Sequence, residues 1–140
     1  MPTYAMTVKP EHKSCATHLR RAIPGGAATV HRYLDQREEN AIDVFIRRDE
    51  GGMVVATIGL MAVDQSRDPA RPILSELLLD VRRIDERLAN VLSTAAFFIL
   101  KDGWRVAPGV VFEDIVQMYL PEVFMKHLLF VPRSSGRAPP

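Results

Sequence analysis

Period-two alternation runs through the first half of the chain. Ala41 to Arg47 sets Ile42, Val44 and Ile46 against Asp43, Phe45 and Arg47, as a strand with two different faces does. Ala27 to Leu34 reads the same way, with Val30, Arg32 and Leu34 on one side and His31 and Tyr33 on the other. Met53 to Leu60 is apolar and β-branched on both faces, which predicts a central strand covered on both sides. Ile73 to Val81 alternates Ile73, Ser75, Leu77 and Leu79 with Leu74, Glu76, Leu78 and Asp80. Turn chemistry separates these runs: Glu38-Glu39-Asn40, the hairpin signal Asp49-Glu50-Gly51-Gly52, and a polar loop from Val63 to Arg71.

The period then changes to that of a helix. Ile84, Leu88, Val91, Leu92, Ala95 and Ile99 form an apolar stripe, with Phe97, Phe98 and Leu100 widening it in the second half. Asp85 and Glu86 are expected in its first turn and Lys101 in its last, matching the helix dipole, with Gly103 at the left-handed stop. A shorter helix is expected over Glu11 to Ala22, halted by Pro24-Gly25-Gly26. Trp104 to Val111 reads as extended, Glu113 to Tyr119 as a short helix, and His127 to Val131 as a last strand. Strands first and a dominant helix after them predict an α+β fold: a mainly antiparallel or mixed sheet with that helix on one face. Residues 1–10 are expected to be a flexible lead-in, 11–132 the folded domain and 133–140 a disordered Pro/Gly/Ser/Arg tail.

At 140 residues the chain has the size of one domain, and folding would bury roughly 68–70% of its unfolded surface. A formal net charge of +1, without charge blocks, argues against a nucleic-acid footprint. No apolar run is long enough to span a bilayer, and the N-terminus lacks a secretory apolar region. The single cysteine, Cys15, excludes an intramolecular disulfide and favours a reducing compartment, so a cytoplasmic protein is expected.

Catalytic signatures are absent: there is no Gly-x-Ser-x-Gly, no phosphate loop and no His-Glu-x-x-His. His12, Cys15 and His18 recur at threes, but three ligands without the usual spacing point to a helix surface, and no metal or other cofactor is expected. Asp80, Arg82, Arg83, Asp85, Glu86 and Arg87 make a dense mixed-charge corner, either solvated or the rim of a partner site. Trp104 reads as a core-edge anchor or an interface hot spot. Glu113 and Asp114 read as the acidic start of a helix, and as candidate partner contacts.

Several segments together resemble one family. They are Ile42 to Ile46, Ala56-Thr57-Ile58-Gly59-Leu60, Ser75 to Leu79, Leu88 to Phe97, Lys101-Asp102-Gly103-Trp104, Pro108 to Val111, and Met125 to Pro132. In this order and spacing they resemble the bacterial suppressor of fused-like domain, over roughly Val30 to Pro132. The resemblance implies an α+β domain without cofactor, binding another protein; for the bacterial relatives it implies immunity proteins that neutralise a toxin. The candidate contacts are then Asp80, Arg82, Arg83, Asp85, Trp104, Glu113 and Asp114. The alternative is a small-ligand binder or small enzyme with a pocket beside Trp104, His127 and Glu113. Oligomerisation through a sheet edge is a third reading.

Overall fold

In the computed structural model, which describes residues 10–23, 25–62, 70, 75–107, 109–123 and 126–130, the alternating segments pair as sequence neighbours. Strands β1 (Ala27–Leu34), β2 (Ala41–Asp49), β3 (Gly52–Ile58) and β4 (Leu78–Val81) form an antiparallel sheet in that order. Helices α1 (Pro10–Ala22) and α2 (Arg87–Asp102) flank it, and β5 (Val111–Phe112) and β6 (Leu128–Leu129) make a separate antiparallel ribbon. The fold is α+β, and β1, β2 and their hairpin lie where the alternation put them.

Strand alternation divides the core in two. Ile42, Val44, Ile46, Met53 and Val55 pack with Val91, Leu92, Ala95, Ala96 and Ile99 of α2, and Val106, Phe112, Ile115, Val116 and Leu120 join the same core. Phe45, Val54, Ala56 and Ile58 point the other way, against Cys15, Ala16 and Leu19 of α1 and Ile23 beyond it. Each fully buried aliphatic or aromatic side chain contributes roughly 1.5–3 kcal/mol. The second helix layer explains why β3 is apolar on both faces. It was hard to see in the sequence because α1 offers the sheet mainly small residues.

Four boundaries differ from expectation. Pairing in the fourth strand covers only Leu78 to Val81; before it, Leu77 meets Thr57 through one backbone bond and one bond to the Thr57 hydroxyl, outside the regular ladder. β3 ends at Ile58; Gly59 turns at φ +102° into a short 3-10 turn, Leu60–Ala62. The long helix begins at Arg87, so Ile84 stands outside it, 49% exposed. Asp85 and Glu86 precede its first turn: the Asp85 carboxylate accepts the Arg87 backbone N–H at 3.1 Å, and Glu86 is the N-cap residue without a side-chain cap bond. Lys101 and Gly103 sit as expected, and the Trp104 N–H turns back to the Phe98 carbonyl. Residues 113–119 are successive turns rather than a helix, and Asp114 has φ +58°. The expected tail, most of the lead-in and most of the loop after Ala62 lie outside the described residues.

A carboxylate ties β3 to β4. Glu76 accepts hydrogen bonds from the Thr57 hydroxyl (2.8 Å) and from the backbone N–H groups of Gly59 (3.1 Å), Leu60 (2.9 Å) and Met61 (3.0 Å). Thr57 Oγ1 in turn accepts the Leu77 N–H, and the Thr57 N–H donates to the Leu77 carbonyl. Gly59 also makes room for α1: a Cβ there would stand 2.7 Å from His12 Nε2. Asp43, buried on the same face, is held by a bidentate bond from Arg32 at 2.7 and 2.9 Å.

Candidate functional site

The predicted contact residues scatter over several surfaces. Asp80 is exposed on the face of β4 that turns toward α1, and Arg82 and Arg83 are exposed in the link from β4 to α2. Asp85 lies at the foot of α2, joined to Arg87 through both oxygens at 3.0 and 2.8 Å. Arg87 also reaches Glu122 at 3.0 and 2.6 Å, and Arg48 of β2 makes a bidentate pair with Glu86 at 2.6 Å. Asp85, Glu86 and Arg87 are therefore partnered ions that fix α2 to β2 and to the turn at Glu122. Arg87 lowers the Asp85 and Glu122 carboxyl pKa values, and Arg48 lowers that of Glu86.

Trp104 is 36% exposed and stacks on Phe98 at 4.2 Å; Phe112 meets it edge-on at 4.8 Å and Phe130 continues the chain of rings. It closes the core edge and leaves part of its indole to solvent. Glu113 and Asp114 are exposed just beyond β5, where the Asp114 backbone N–H donates to His127 Nδ1 at 2.7 Å. Val111 and Leu129, paired across the ribbon, turn outward. His12, Cys15 and His18 do not converge: His12 stands near Asp43, Cys15 packs toward the sheet and His18 is exposed. Among the described residues no group of three His, Cys, Asp or Glu is placed to hold a metal ion. Burial, reinforced by the Glu76 charge, pushes the Cys15 thiol pKa up, which disfavours the reactive thiolate.

What sequence reasoning missed is a cleft of about 360 Å³ along α2. Its floor is the helix face carrying Asn90, Ser93, Thr94, Phe97, Phe98 and Lys101. Tyr33 to Gln36, leaving β1, form one wall; Met118 and Tyr119 form the other. The volume lies near the lower end of the range for ligand pockets, about 300–1,000 Å³. Neither Trp104, His127 nor Glu113 lines it, although Trp104 backs its Phe98 wall. The walls are held by polar contacts: Thr94 Oγ1 and the Tyr119 hydroxyl lie 2.6 Å apart, and Arg87 Nη1 reaches the Tyr119 carbonyl at 3.5 Å. The cleft thus adjoins the charged corner. The i, i+3, i+4, i+7, i+11 spacing of 90, 93, 94, 97 and 101 was a legible signal of a shared helix face; the opposing walls, some 60 and 25 residues away, were not.

Asp35 anchors the cleft's upper end. Its side chain is only 3% exposed, and it accepts the Asn40 amide at 2.9 Å and the backbone N–H groups of Glu39 (2.9 Å) and Asn40 (3.3 Å). Lys101 Nζ stands 3.4 Å away. The Asn40 side-chain bond first, with the two N–H groups and Lys101, holds the Asp35 pKa down to about 2. A carboxyl depressed in the folded state contributes stability above its unfolded pKa and loses it as pH falls through the folded value. Stability is therefore expected to drop between about pH 4 and 2, and Asp35→Asn should flatten that decline while lowering stability at neutral pH. Urea unfolding of both proteins across this window checks it; parallel curves would count against the assignment.

Over 131 residues the chain is 34% identical to the immunity protein YqcF of Bacillus subtilis (strain 168), a match spanning 91% of this chain and 68% of that protein. No family model and no solved structure matches.

Proposed function

The chain belongs to the family of the immunity protein YqcF, and from that membership we propose that it neutralises a toxin by binding it, with no chemistry of its own. The similarity, reaching across nine-tenths of this chain, is the observation that carries the reading. At the corner Arg48 pairs with Glu86, and Arg87 with Asp85 and Glu122, while burial raises the pKa of the Cys15 thiol.

The binding surface on this reading is the cleft along α2 together with the adjoining corner, where Arg82, Arg83 and Asp85 lie. Exposed charges at a rim speed encounter and fix register more than they add affinity. The finer placement, in the suppressor of fused-like group, rests on the order and spacing of the sequence segments that resemble it. A cytoplasmic location suits the lone cysteine, and no described helix is long and apolar enough to cross a membrane.

Co-expression tests the role. The full chain, produced with each candidate toxin encoded next to its gene, should restore growth of a heterologous host for one of them and co-purify with it in a fixed ratio. Persistent growth arrest in the presence of abundant, folded chain would overturn it.

A further inference from the structure

We propose that the α2 cleft is the receptor for one arginine side chain of the partner protein, its guanidinium lying among the rings of Tyr33, Phe97 and Tyr119 with its charge toward Asp102. The proposal deepens the binding role above and rests on it.

Three observations converge. Aromatic side chains supply much of the apolar wall, and a guanidinium lies well on aromatic faces. On the floor the Asn90 side-chain amide offers an acceptor for a donor-rich guest, while the Thr94 hydroxyl is tied to Tyr119 and the buried Ser93 hydroxyl to the Asn90 carbonyl. The charged residues that line the cleft are two acidic, Asp35 and Asp102, and one basic, Lys101, and the C-terminal end of α2 adds the negative pole of its dipole. Asp35 is already paired with Lys101, which leaves Asp102, exposed on the cleft lining, as the carboxylate for a guest. Arginine is also the charged residue most often found as a buried anchor at protein interfaces.

The full-length chain should be titrated with N-acetyl-arginine amide and, in parallel, with N-acetyl-citrulline amide, which keeps the shape and lacks the charge. Backbone amide resonances report the site. Saturable shifts of Tyr33 to Gln36 and of Asn90 to Asp102 with the arginine compound, at least about tenfold stronger than with citrulline, are expected. Asp102→Lys, an exposed position that bears no packing, should abolish them. Equal response to both compounds, shifts confined to other surfaces, or no saturable response would overturn the proposal. Toxin neutralisation separates the two ideas. If the unaltered chain protects the host and Asp102→Lys protects equally well, the arginine receptor fails while the binding role stands. If the unaltered chain does not protect, the binding role fails whatever the titration shows.

Discussion

Replacing Glu76 by alanine is expected to cost about 3–5 kcal/mol, a large part of the roughly 5–15 kcal/mol that holds a domain together. Four donors converge on its carboxylate: the Thr57 hydroxyl and the backbone N–H groups of Gly59, Leu60 and Met61. Met61 is exposed and Gly59 half-exposed, so water can serve their N–H groups. Leu60 and Thr57 are fully buried; each donor left there without a partner costs about 1–3 kcal/mol. Glu76→Gln should fall between, because its amide oxygen still accepts while its NH2 faces other donors. Thr57→Val, close in shape, removes one donor and the acceptor of the Leu77 N–H and should cost about 2 kcal/mol. Denaturant midpoints at constant m-value measure all three. A Glu76→Ala midpoint within about 1 kcal/mol of the unaltered protein would mean that the carboxylate does not hold the two strands.

Gly52→Ala should also be strongly damaging. Gly52 opens β3 at φ +136°, and a Cβ would stand 2.0 Å from the Val81 carbonyl oxygen and 2.7 Å from Arg82 Cα. Both obstacles are backbone, so no rotamer change relieves them, and the left-handed φ adds strain of its own. About 2–5 kcal/mol is expected, with hydrogen exchange accelerating first in β4. Gly51→Ala is the control. Its Cβ would meet only Asp49 Oδ1, at 3.3 Å, at the end of a movable side chain, so a change under about 1 kcal/mol is expected. Similar losses for the two substitutions would remove the steric argument.

What was legible in the sequence was local. The alternation of β1 and β2, the Asp49–Gly52 turn and the stripe from Leu88 to Ile99 all follow from side-chain periodicity, and each sits where that periodicity put it. The start of α2 was misplaced because Ile84 keeps the apolar spacing, while Asp85, bonded to Arg87 within two residues, ends the regular backbone before it. Glu113 and Asp114 look like a helical first turn; the positive φ of Asp114 and its bond to His127 hold a different path, and that bond spans 13 residues. The Glu76 latch joins residues 15 to 19 positions apart, so Thr57-x-Gly59 and Ser75-Glu76-Leu77 carried a family resemblance without revealing that they touch. The cleft depends on three separate stretches of chain and left only the polar spacing along α2 as a trace.

Phe98 both stacks on Trp104 and lines the cleft. With one indole in the whole chain, ultraviolet emission reports this single place, free of any second tryptophan. A guest that presses on Phe98 alters the stack and therefore the intensity or wavelength of that light. Stopped-flow mixing can thus follow occupancy in real time, on unlabelled protein.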